Sequence, residues 1–265
     1  MELPQEMLPD DHEVMVGQKL SAEPAFEAGI FLVDKPVGPS SFRMVQLVRR
    51  ALSIKKVGHA GTLDPFASGL LIICAGRPAT RLISQFMDGS KRYEAVLRLG
   101  IETTTQDLEG EVIAQKEVGV FGREELEHCL SGFLGEQLQT PPQYSALKHK
   151  GKPLYHYARR GIIIEKSARP ITIFALRLMD IGPDTMRIMV ECSKGTYIRT
   201  LAADIGIALG CGAHLVALRR LQSGPFTVDN AVDGGILQDS IFARQALLAK
   251  TVTVEEVMQL LSRPE

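Results

Sequence analysis

The carboxylate that stands out in the chain is Asp64, within Gly61-Thr62-Leu63-Asp64-Pro65. Pro65 biases Asp64 away from the helical region toward extended backbone, which sets the direction of its side chain. Gly61 and Gly69 allow unusual angles or a close approach to a ligand. A carboxylate held this way can serve as a nucleophile or a base. It can equally close an Asx-type turn on its own backbone, and spacing alone leaves both readings open. A second candidate is Ser193-Lys194-Gly195-Thr196-Tyr197-Ile198-Arg199, at a strand-to-helix junction. An arginine near a helix start can pair with a carboxylate and keep it ionised, or simply be solvated. Tyr197 and Arg199 are two apart and diverge around a helix, so they need not face one site. A third is the stretch 140–161, where Lys148, Lys150, Lys152, Arg159 and Arg160 have no acidic neighbour and Tyr144, Tyr155 and Tyr157 lie among them. Phosphate contacts plus stacking suit looped or single-stranded RNA; an exposed basic loop is the plain alternative.

Other chemistries find no support. There is no GxGxxG after a strand, no GxxxxGK[ST], no GxSxG and no HExxH. The cysteines, at 74, 129, 192 and 211, form no CxxC pair and no zinc-ligand spacing with histidine, so they read as small reduced hydrophobes. No metal is expected.

The elements that must position these residues follow from periodicity. Residues 29–34 (GIFLVD) read as a buried strand, ended by Lys35-Pro36. Ser40 and Ser41 are N-cap candidates for a helix with a stripe of Phe42, Val45, Val48 and Leu52. The stretch 55–69 has no clear period and reads as a long irregular loop of the functional kind. Residues 70–75 are strand-like, and 93–99 alternate as a half-buried strand does. A helix is expected near 123–134, two strands over 171–181 and 186–192, and a helix over 196–209 closed by Gly210. Strands and helices interleave irregularly, so the fold class is α+β with a mixed, mostly antiparallel sheet.

The 265 residues carry 30 Lys+Arg and 31 Asp+Glu, a net charge of −1. That balance argues against a polyanion partner only until it is divided. Residues 1–30 carry −6 and residues 226–265 carry −3, leaving +8 for 31–225. The asymmetry suggests a polyanion for the middle, with the acids of 102–136 facing away. The acidic N-terminus shows no secretory signal, and no apolar run approaches the ~18 residues of a membrane span. A cytoplasmic protein is expected, with no membrane association.

Five segments occur in order: 55–65 (KKVGHAGTLDP), 91–93 (KRY), 144–159 (YSALKHKGKPLYHYAR), 192–200 (CSKGTYIRT) and 210–221 (GCGAHLVALRRL). As a set they resemble the TruB family of bacterial tRNA pseudouridine synthases, from about Gly29 to Phe226. The forms YSALK and CSKG look bacterial, unlike the archaeal and eukaryotic relatives that work in guide-RNA particles. The resemblance implies the pseudouridine synthase fold, with an active-site cleft, and conversion of uridine 55 in the T loop of elongator tRNAs to pseudouridine by base flipping. No cofactor is implied. Asp64 matches the catalytic aspartate, Tyr93 the tyrosine that stacks on the target base, and Arg199 the arginine paired with the aspartate. Tyr197 and Leu218 match pocket walls, His59 the histidine near the flipped base, and Lys35 and Pro36 a motif that supports the active-site loop. Lys148 and Lys152 are expected to hold phosphates.

The expected organisation is a flexible acidic leader over 1–28, a catalytic domain over 29–226 and a short helical tail over 227–265. The tail reads as helices 236–250 and 254–261, without the PUA domain that family members usually carry. The expected partner is the tRNA T arm, bound by a monomer without guide RNA. A tRNA-folding chaperone acting mainly by binding is the alternative function.

Overall fold

A computed structural model describes residues 26–262 apart from Ala146; the acidic leader, save its last three residues, lies outside the described residues. The chain begins with β1 (Gly29–Lys35), α1 (Ser41–Leu52), β2 (Val57–Ala60) and β3 (Ser68–Ala75). Two short helices, α2 (Arg77–Thr80) and α3 (Ile83–Phe86), lead to the long β4 (Lys91–Leu99). A hairpin of β5 (Ile101–Thr103) and β6 (Val112–Gln115), then α4 (Arg123–Ser131) and β7 (Gly135–Gln139), follow. The basic stretch holds β8 (Lys148–His149), β9 (Lys152–Pro153) and α5 (Leu154–Ala158). Next come β10 (Arg169–Ile181), β11 (Thr185–Cys192), α6 (Ile198–Ala208) and β12 (Ala213–Ser223). The chain closes with β13 (Phe226–Thr227), β14 (Val232–Asp233), α7 (Ser240–Ala249) and α8 (Val254–Leu261).

One sheet organises these elements, in the order β14-β1-β3-β12-β4-β11-β10-β7, with β2 beside β3 and β13 beside β12. Pairing is antiparallel except for β1 with β14 and β3 with β12. The class is α+β with a mixed sheet. The β3–β12 pairing is only two residues long, Arg219 with Ser68 and Arg220 with Gly69. Gly69 makes this approach possible: it has φ +101°, and a Cβ there would stand 2.2 Å from the Arg220 carbonyl oxygen. On one side of this join, α4 and α6 pack a core that includes Leu97, Ile188, Leu201 and Leu215. On the other, α1 and α7 cover β1 and β3 with Phe31, Val48, Leu71 and Leu247.

Several expectations need correction. The stretch 55–69 is not wholly irregular, because Val57–Ala60 pairs antiparallel with β3; the internal Gly58, the following Gly61 and the short length hide the strand. Phe42 is 58% exposed, and α1 instead buries Met44, Val45, Leu47, Val48, Ala51 and Leu52. A stripe spaced by threes drifts by about 60° per step on a helix of 3.6 residues per turn, which carries Phe42 off the buried face. The helix expected over 236–250 is broken: Asp239 accepts from Ile241 N at 2.9 Å and starts α7 afresh, after a 3-10 turn at Gly234–Gln238. An Asp side chain competes for backbone N–H groups in this way. At the end of the leader, Phe26 packs on Phe31 with ring centroids 5.7 Å apart. From the tail, Val232, Leu237, Ala243 and Leu247 join the core beneath α1. Among the described residues no helix is long and apolar enough to cross a membrane.

Candidate active site

The Asp64 segment connects β2 to β3 and is anchored on both sides of the carboxylate. Leu63 and Phe66 are buried in the main core. The Ser41 hydroxyl donates to the Leu63 carbonyl and accepts from the Leu63 N–H, each at 2.9 Å. Ser40 alone caps α1, accepting from Arg43 N at 3.1 Å. Ser41 is thus a clamp on the loop rather than a cap. Gly38 N donates to Pro65 O at 2.8 Å, and the buried Lys35 ammonium reaches the Pro65 carbonyl at 3.3 Å. Two further carbonyls, of Pro36 and Pro39, accept from Lys35 at 2.9 and 2.8 Å. Burial lowers the Lys35 pKa to about 8, with Asp64 opposing that fall.

Arg199 meets Asp64 from α6, Nε to Oδ2 at 3.0 Å. Tyr197 precedes the helix in extended conformation, with φ −99° and ψ 109°. The expected helical divergence of Tyr197 and Arg199 therefore does not occur, and both line the cleft. Gln139 on β7 holds the turn, accepting from Tyr197 N at 2.8 Å and donating to Tyr197 O at 3.1 Å. Arg199 has a second carboxylate, Asp107 Oδ2, at 3.1 Å from Nη1, and Nη2 donates to Tyr144 O at 2.8 Å. Asp107 is 3% exposed and is itself fixed by Thr105 Oγ1 and by Glu109 N at 3.0 Å. Sequence reasoning missed it. It belongs to the acidic stretch 102–136, expected to face away, and only the Asx-turn pattern around Thr105–Gly110 singles it out from eight other acids.

The electrostatics of Asp64 are a contest. Burial pushes its carboxyl above the usual carboxylate range, Arg199 pulls it back, Asp107 pushes it up again and Lys35 pulls it back. Arg199 does favour the ionised form, as expected, but desolvation is the larger influence. Burial also raises the hydroxyls of Tyr93 and Tyr197, so both are neutral phenols at pH 7.

These groups share one cleft of about 810 Å³. Asp64, Tyr93, Tyr197, Arg199 and Leu218 all line it, drawn from the β2–β3 connection, β4, α6 and β12. Lys91, Lys194, Arg169 and Arg220 line it as well; three of them lie in segments singled out from the sequence, but none of the four was given a role there. His59 is not part of the lining; it sits on β2 opposite Ile73, and burial lowers its pKa, which keeps the imidazole neutral at pH 7. Lys148 and Lys152 are exposed on the β8–β9 hairpin, and Lys148 lines a second cleft of about 200 Å³. The two clefts meet at Leu147 and Arg169. A deep site with a carboxylate held at a fixed angle, a guanidinium behind it and an aromatic wall can position a planar ring for attack at an adjacent carbon.

The chain is similar in sequence and in fold to known proteins. Residues 49–198 match the TruB family pseudouridylate synthase N-terminal domain, and residues 199–261 match the tRNA pseudouridylate synthase B C-terminal domain. A protein of Desulfotalea psychrophila named tRNA pseudouridine synthase B is 56% identical over 245 residues, which cover 90% of this chain and 99% of that one. The protein of the same name from Bordetella pertussis is 50% identical over 223 residues, 83% of this chain and 91% of its own. Among solved structures, a Cbf5-Nop10-Gar1 complex matches with a TM-score of 0.68 at 27% identity, over 88% of this chain and 62% of that chain.

Proposed function

The chain belongs to the TruB family of pseudouridylate synthases, and from that premise we propose that it isomerises uridine 55 in the T loop of elongator tRNAs. It is a tRNA pseudouridine synthase. The reaction breaks the N1–C1′ bond, turns the ring and joins C5 to C1′. The proton lost from C5 is matched by one gained at N1, so the conversion balances without an added redox or group-transfer partner.

The observation that carries the reading is the setting of Asp64. It hangs between two buried side chains, 3.0 Å from the buried Arg199, on the wall of the cleft that also holds Tyr93. A uridine in a folded loop must be turned out to reach it, at a cost of a few kcal/mol. Asp64 is the catalytic carboxylate, and Arg199 holds it in line and supports its charge. Tyr93 stacks on the flipped ring, with Tyr197 and Leu218 as walls. His59, neutral on β2, supports the vacated stack. Lys148 and Lys152 hold phosphates of the T arm. The catalytic unit is 29–226, acting as a cytoplasmic monomer on tRNA without a guide RNA.

The test is Asp64→Asn with tRNA binding measured in parallel. Pseudouridine at position 55 should vanish while affinity persists. A variant that modifies tRNA at the wild-type rate removes Asp64 from the chemistry. Loss of binding in step with loss of activity would favour the chaperone reading. Wild-type activity on bare transcript tRNA, with no other RNA or protein present, tests independence from a guide.

A further inference from the structure

Arg220 is a buried cation that the Asp64–Arg199 pairing does not use. It stands on β12 directly across from Tyr93 on β4, lines the same cleft, and is 2% exposed. Two backbone carbonyls hold it: Nε donates to Leu70 O at 2.7 Å and Nη2 to Gly61 O at 3.0 Å. Nη1 lies beside Gly61, 3.3 Å from where a Cβ would stand. Among the described residues Arg220 forms no ion pair, whereas Arg199 has two. A buried charge without an opposite one is costly. Such a charge persists where its counterpart arrives with a ligand or forms during a reaction. Lys91, 8% exposed and two residues from Tyr93 on the same strand, adds to the excess. Its ammonium donates to the Met87 and Gly89 carbonyls. Lys91, Arg169, Lys194, Arg199 and Arg220 thus line the cleft against the carboxylates Asp64 and Asp88, with Asp107 behind Arg199.

The uracil ring that packs against Tyr93 is neutral, and the negative charge of the RNA sits on its phosphates, so the ring as bound does not supply the missing charge. The reaction does. When N1–C1′ breaks, the ring departs with the electron pair and spreads the charge over N1, O2 and O4. The deficit at C1′ is filled by the Asp64 carboxylate or relieved by transfer of the C2′ proton to it. The geometry points to Arg220 as the group that holds the detached uracil ring as its anion, against the Tyr93 face of the cleft. Attack by C5 then returns the pair to the new C5–C1′ bond, restores Asp64, and leaves the C5 proton to be exchanged for one at N1. The inference rests on the isomerase reading and adds a catalytic residue to it.

The experiment compares single-turnover loss of uridine and of 5-fluorouridine at the target position of a T-arm RNA, read from nuclease digests. Fluorine stabilises the ring anion by itself. Arg220→Gln should therefore slow uridine loss by about 10²–10³-fold, the usual effect of removing one charge-stabilising donor, and 5-fluorouridine loss by at least about tenfold less. Arg220→Lys should recover part of the rate, with RNA affinity at the wild-type level throughout. Equal loss on both substrates overturns the assignment. A measurement on the wild type guards against a variant that does not fold: its complex with abasic T-arm RNA should bind uracil, 5-fluorouracil and 5-nitrouracil in rising order of ring acidity. A flat series overturns the assignment too. If the wild type leaves both nucleosides intact, it is the isomerase reading that fails, and Arg220 with it.

Discussion

The floor of the cleft and the β8–β9 hairpin at its rim both carry concentrated charge, and they hold it in opposite ways. On the floor, Arg199 is fastened by two carboxylates and the Tyr144 and Thr105 carbonyls, and Asp64 is staked down by Leu63, Phe66 and the Ser41 clamp. On the hairpin, Lys148 and Lys152 extend into solvent from a two-residue pairing, Lys148 with Pro153 and His149 with Lys152. Low-dielectric surroundings make each floor charge strong and each error there expensive. Solvent and salt weaken the hairpin charges singly, so they act as a sum. Chemistry needs the first arrangement and docking of a polyanion is served by the second.

The comparison can be broken at its strong end first. Asp64→Asn should lower single-turnover pseudouridine formation by about 10²–10⁴-fold, the range for a positioned acid or base, with tRNA affinity retained. Arg199→Ala removes the cation from the buried Asp107 and the partly exposed Asp64, and should cost about 3–5 kcal/mol of stability in denaturant titration. It should also move the acid limb of the pH–rate profile. Asp64 acts ionised and its pKa is already raised by burial; without Arg199 it rises further, so the limb shifts to higher pH. An unshifted limb would deny that Arg199 acts on Asp64.

Smaller effects sharpen the contrast. Leu63→Ala should cost about 2–5 kcal/mol as a buried large-to-small change, and slow the reaction by freeing Asp64, with little change in tRNA affinity. Lys148→Ala or Lys152→Ala should leave the rate at saturating tRNA unchanged. Each should weaken binding modestly and reduce the slope of log affinity against log salt by about one unit. An unchanged slope for both would take the hairpin out of the RNA interface.

Legibility in the sequence followed the same division. The Gly61–Pro65 segment and the Ser193–Arg199 junction could be read because their constraints are local: a proline fixes the preceding residue, and a turn precedes a helix. Asp107 could not, because its partner Arg199 lies 92 residues along the chain. Ser41 looked like a cap because serines cap helices, and its bond to Leu63 depends on where the β2–β3 connection returns. Tyr197 and Arg199 were expected to diverge because helical geometry was extended two residues too far toward the N-terminus.

By itself the sequence determined the family, the candidate for the reactive carboxylate and the split of a near-neutral charge into a basic middle and acidic ends. All of these are carried by residue order and local backbone preference. Which charges neutralise one another was decided only by the tertiary structure. The register of β12 against β4 sets Arg220 opposite Tyr93, and the α6 start sets Arg199 between Asp64 and Asp107. Ion pairs and their absence depend on distances of a few ångströms in a water-poor interior, and those distances exist only once the sheet has assembled.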